Sequence, residues 1–149
     1  MSEQPTIGVL AYQGDVREHR RILDGLGVRS VEVRTLADLE RVDGLIVPGG
    51  ESTVIGKLTE RYGLLEPLRA RARAGMPMLG TCAGMIFMAR EVEVLAEIDG
   101  RVIGARQGNL LAVAFHPELT GDPRLHRWFV DLARAAVERG VHGQPPDPA

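Results

Sequence analysis

The chain has 149 residues, the size of one domain with a sizeable core, and its 44% hydrophobic and 26% charged content is ordinary for a soluble globular protein. A formal net charge of −2 excludes the basic field of a nucleic-acid binder and the polybasic patch of a membrane-surface protein. No apolar run approaches the roughly 20 residues of a membrane span, the first six residues carry no basic leader, and one cysteine cannot form an internal disulfide, so a reducing, cytoplasmic setting is expected.

In chain order, Thr6 to Ala11 reads as a short buried strand. Asp15 to Leu26 reads as a helix with Val16, Ile22, Leu23 and Leu26 near one face and Gly27 as its stop. Ser30 to Arg34 alternates as a strand, Leu36 to Arg41 is a helical turn, and Gly44 to Val47 is an apolar strand closed by Pro48-Gly49-Gly50. Ser52 to Arg61 and Leu64 to Ala74 read as helical pieces separated near Gly63. Met76 to Leu79 is the next strand and Ala83 to Glu91 the next helix. Val94 to Ile98 and Arg101 to Arg106 flank Asp99-Gly100 as a hairpin. Leu110 to Phe115 is a strand that delivers His116, and Asp122-Pro123 starts a last helix through about Glu138, with Asp122 as its cap. The proline-rich segment 143–149 reads as a disordered tail, leaving one domain over 1–142. Strand and helix alternate through the first ninety residues, so the expected fold is α/β, a three-layer sandwich around a mostly parallel sheet.

Ligands of such sheets bind beyond the carboxyl ends of the strands. Three candidate segments fall there. Cys82 sits in Gly80-Thr81-Cys82-Ala83-Gly84, a glycine-flanked corner from strand to helix that presents a thiol at a helix N-terminus. A lone cysteine is usually a small buried hydrophobe, but this setting favours a nucleophile. His116-Pro117-Glu118 offers a base and an orienting acceptor; on an extended segment, residues two apart share a side, so Glu118 can reach the imidazole of His116. Pro48-Gly49-Gly50-Glu51-Ser52-Thr53 can turn backbone N–H groups outward to meet an oxyanion, with the N–H of Ala83 as a second donor. His19, His126 and His142 read as solvated or partly packed surface groups. No Cys/His pair has metal-ligand spacing and no glycine-rich nucleotide loop appears, so neither a metal nor a cofactor is expected.

Together these segments resemble the class I triad glutamine amidotransferases, and more narrowly the PdxT/SNO family, the glutaminase subunits of pyridoxal 5'-phosphate synthase. The resemblance rests on Gly8-Val9-Leu10-Ala11-Tyr12-Gln13-Gly14-Asp15 with Glu18-His19, on 42–53, on Pro77 to Ile86, and on Phe115-His116-Pro117-Glu118-Leu119-Thr120. It implies a flavodoxin-like sheet. It also implies that Cys82 attacks the carboxamide of L-glutamine, that His116 activates the thiol and protonates the leaving ammonia, and that Glu118 orients His116. Gly50, Glu51 and Ser52 match the family's glutamine-binding segment, with Gly50 and Ala83 at the oxyanion. The ammonia would pass to a barrel-shaped synthase subunit, met near Gln13, for vitamin B6 synthesis.

One departure from the family stands out. Cys82 and His116 are only 34 positions apart, an interval the family makes longer by several dozen residues. The family segment, which helps hold glutamine, is expected to be missing near 91–94. That leaves two further readings: a catalytically impaired subunit that still docks, and a thiol hydrolase or redox protein on the same sheet.

Overall fold

The computed structural model describes residues 4–12, 14–49, 60–81, 93–98, 101–141 and 143. Three short apolar runs form the centre of its sheet. Ile7–Leu10 (β1), Gly44–Val47 (β3) and Met78–Thr81 (β4) are buried at every position, as strands covered on both faces must be. Ser30–Val33 (β2) and Leu110–Val113 (β7) complete the parallel part, and Glu93–Ile98 (β5) and Arg101–Gln107 (β6) add an antiparallel hairpin. The seven strands run in the order β2-β1-β3-β4-β7-β6-β5. The first five are parallel; β6 runs against both β7 and β5.

Side chains alternate across the strands and so divide the core in two. Leu10, Leu45, Val47 and Met78 point to one face, where they pack with Leu39 of Leu36–Glu40 (α2) and Leu68 of Leu65–Arg73 (α3). Ile7, Val9, Ile46, Leu79 and Leu111 point to the other, against Leu23 of Val16–Gly25 (α1) and Phe129, Val130 and Ala133 of Arg124–Glu138 (α5). The result is the three-layer α/β sandwich expected from the sequence. Thr35 caps α2 reciprocally: its hydroxyl accepts from the Asp38 N–H, and the Asp38 carboxylate accepts from the Thr35 N–H.

The strand order reverses direction between β1 and β3, so the segments that begin the loops after them are neighbours. Their approach is close. Gly14 has φ +96°, and a Cβ there would overlap the carbonyl oxygen of Gly49. Gly14→Ala is therefore expected to destabilise the fold by about 2 kcal/mol or more, from left-handed backbone strain plus the displaced carbonyl. Thermal melts would show this as a loss of about 4–8 °C.

The structure corrects three local expectations. The strand before His116 stops at Val113, not Phe115. His116 is the N-cap of a four-residue helical turn, Pro117–Thr120 (α4), instead of lying on an extended segment. Pro117 fits the first helical position and Gly121, at φ 74°, ends the turn, which is the usual Pro-first, Gly-last asymmetry of helix ends. In α5 the N-cap is Pro123; Asp122, one residue earlier, still accepts from the Arg124 N–H at 3.0 Å. The helical reading of Ser52 to 59, the corner after Cys82 and residues 144–149 lie outside the described residues. Gly143, at the head of the expected tail, donates its N–H to Asp43 Oδ1 at 2.7 Å.

Candidate active site

Register brings the strand ends that lead into the three expected segments to one rim. Val47 pairs with Gly80, and Thr81 with Val113, so the C-terminal ends of β3, β4 and β7 lie side by side. Cys82 is the residue after β4, and His116 follows β7 by three positions. Cys82, Ala83, Gly50, Glu51, Ser52 and Gln13 themselves lie outside the described residues. Gly49, at the start of the glycine turn, is tied to β4 through its N–H, which donates to Thr81 Oγ1 at 3.0 Å.

His116 and Glu118 meet as expected, by a different local route. His116 Nδ1 lies 2.7 Å from Glu118 Oε1 across the first residues of α4. The Glu118 side chain is fully buried, while that of His116 is about one-third exposed (34%). With Nδ1–H donated to Glu118, the lone pair of Nε2 is left for an incoming proton. Asp15, ahead of α1, was absent from the sequence-based site; its Oδ2 stands 3.4 Å from the same Nδ1. Burial pushes the Glu118 carboxyl above its ordinary value, opposed by its backbone N–H and by His116, with Asp15 adding to the rise. The donor atoms of Asp15, His116 and Glu118 all lie within 4.8 Å of one another; a cation could use them only if His116 Nδ1 gave up its proton.

Behind Glu118 the expectation for the histidines fails. His19 and His126 are completely buried. His19 Nδ1 is 2.8 Å from His126 Nε2, joining α1 to α5. His19 Nε2 is 3.4 Å from Thr81 Oγ1 and 3.5 Å from Glu118 Oε2. Burial drives the His19 pKa down to about 3, helped by neighbouring His126 and His116, and burial drives that of His126 down to about 4. Both rings are therefore neutral at physiological pH. The neighbours of His19 along α1, Arg17, Glu18, Arg20 and Arg21, disguise the buried face in the sequence. The available signal was spacing: His19 and Leu23, four apart, are the two buried residues of α1. His142 lies outside the described residues.

The model of the SNO glutamine amidotransferase family matches residues 9–94 and 89–135, in two pieces. The chain belongs to the SNO glutamine amidotransferase family. The pyridoxal 5'-phosphate synthase subunit PdxT of Nocardia farcinica is 40% identical over 209 residues, covering 97% of this chain and 92% of the relative. That of Frankia alni is 41% identical over 192 residues, covering 89% and 96%. A solved structure described as a glutamine amidotransferase superposes with a TM-score of 0.79 at 37% identity, covering 85% of this chain and 98% of the other. For this SNO-family chain the flavodoxin-like glutamine amidotransferase fold is thereby established. Among the described residues, no helix is long and apolar enough to cross a membrane.

Proposed function

We infer that the chain is a glutaminase subunit that hydrolyses L-glutamine and passes ammonia to a pyridoxal 5'-phosphate synthase. The observation that carries this reading is the 2.7 Å contact between His116 Nδ1 and buried Glu118, on the rim where β4 leads into Cys82. Family membership supplies the substrate class, and the relatives' name supplies the product.

In this reading His116 Nε2 takes the Cys82 thiol proton, and the thiolate adds to the glutamine carboxamide carbon. The oxyanion is met by backbone N–H groups of Gly50 and Ala83, each such donor being worth roughly 3 kcal/mol. The C–N bond breaks, the His116 proton leaves with ammonia, and water then hydrolyses the thioester to glutamate and free thiol. Glu118 keeps His116 in the tautomer with Nδ1–H. Gly50, Glu51 and Ser52 hold the glutamine, and the segment at Gln13 faces a barrel-shaped synthase subunit in a hetero-oligomer. The reaction runs in the cytoplasm, where the thiol stays reduced. No cofactor and no metal takes part.

The test mixes the chain with the synthase subunit and glutamine and measures glutamate. Release above a Cys82→Ala control is expected; equality with that control would sink the reading.

A second reading has its own support. The family model aligns in two pieces that meet at 89–94, and the Nocardia alignment spans 209 positions against a chain of 149. Both favour an internal family segment missing from this chain. A subunit lacking that wall of the glutamine site would dock and stay inactive. Co-migration with the synthase subunit, without Cys82-dependent turnover, is its signature.

A further inference from the structure

We propose that His19 is a positioning residue for Glu118, holding Oε2 through its Nε2–H, and that His126 fixes the tautomer in which it can do so. The proposal deepens the triad reading above and rests on it for its catalytic meaning.

The argument starts from two buried atoms. Glu118 Oε2 and His126 Nδ1 have no hydrogen-bond partner among the described residues. A buried carboxylate oxygen left bare is costly, and so is a buried N–H. The His19–His126 contact can be made in two ways. If His19 donates from Nδ1, its Nε2 presents a lone pair to Glu118 Oε2, and His126 must carry its own proton on the unpartnered Nδ1. That arrangement repels the carboxylate and orphans a buried donor. If His126 donates from Nε2, His19 carries its proton on Nε2, facing Thr81 Oγ1 at 3.4 Å and Glu118 Oε2 at 3.5 Å, and the atom left bare is only an acceptor. The second arrangement satisfies more groups.

Thr81 is held in place by the Gly49 N–H, so the chain Gly49–Thr81–His19 joins the glycine turn, the strand before Cys82 and the acid behind His116. At 3.5 Å the contact to Glu118 is long for a hydrogen bond; sites of this kind tighten when substrate is bound. The purpose is clear from the geometry. With Oε2 held by His19, Oε1 stays committed to His116, and an ionised Glu118 survives its burial.

The experiment follows the Glu118 carboxyl by ¹³C NMR titration in the full chain. The groups facing Glu118 are His116 on its own segment, Asp15 and His19 from the α1 side, and His126 of α5 through His19. His19→Leu removes the donor and keeps the volume; the Glu118 midpoint is expected to rise by about one pH unit. His19→Gln, whose amide can donate from about the same place, is expected to restore it to within about 0.3 unit. His126→Leu frees the His19 tautomer and is expected to raise the midpoint by a smaller amount, which keeps the test available if His19→Leu does not fold. An unchanged or lowered midpoint in the leucine variants overturns the proposal. Because the titration reads Glu118 without turnover, failure here is distinct from failure of glutamate release, which would strike the glutaminase reading instead.

Discussion

Glutamine hydrolysis by the docked His116→Asn variant is expected to fall by about 10²–10⁴-fold, the range set by loss of a positioned acid–base group. Stability should hardly change. The side chain is about one-third exposed and makes no cap hydrogen bond at its N-cap position, where asparagine is among the preferred residues. A melting temperature within about 2 °C of wild type would separate loss of chemistry from loss of fold. Glu118→Gln is expected to cost less, about 10–100-fold. An amide in place of the carboxylate can turn an N–H toward His116 and favour the wrong tautomer, the effect that is severe when the acid acts alone. Here Asp15 Oδ2, 3.4 Å from Nδ1, can accept the Nδ1–H hydrogen bond instead. Combining Asp15→Asn with Glu118→Gln should then approach the His116→Asn loss, a non-additive result typical of groups that act as a unit. Additive losses would mean that Asp15 does not substitute for Glu118.

Acid should unfold the protein early, for a reason visible in its core. His19 and His126 have folded pKa values of about 3 and about 4 against an ordinary value of 6.5. Below pH 6.5 the unfolded chain binds protons at these two positions and the folded chain does not, so stability falls as pH falls. With both groups contributing, the slope is about 2.7 kcal/mol per pH unit between roughly pH 6 and pH 4. For a chain of this size that is about 5–10 °C of melting temperature per unit. Glu118 acts in the opposite sense: its folded pKa is raised, so it binds its proton more readily in the fold and offsets part of the loss at acid pH. The lowered pKa of Asp38 adds destabilisation only near and below its ordinary value of 3.8, beneath this window. Melts in steps from pH 7.5 to pH 4.5 test the claim. A flat profile would contradict it, and a His19→Leu/His126→Leu variant should flatten the wild-type slope.

The sheet was legible because its strands are short apolar runs. Leu45-Ile46-Val47 and the residues around Met78 read as doubly covered strands without reference to their neighbours. The contact of His116 with Glu118 was also foreseen, but for the wrong local reason. His116 and Glu118 were read on an extended segment, when Pro117 opens a helical turn that Gly121 ends. The buried histidine pair was not legible. Whether His19 faces solvent or core depends on α5 packing beside α1, and the two partners are 107 positions apart in the chain. Asp15 was missed for a similar reason. It precedes α1 like any capping residue, and only the fold brings it to His116.

The placement of β7 directly against β4, with the β5–β6 hairpin added outboard, has an entropic consequence. The Cys82 and His116 sides of the rim are joined through the β4–β7 ladder, so the connection running between those strands need only close a loop. Closing a flexible loop three times as long costs only about 1 kcal/mol more, since the penalty grows as the logarithm of length. The length of the connection ahead of β5 therefore has little bearing on the β4–β7 pairing. The parallel strands can keep their register whatever length that connection takes.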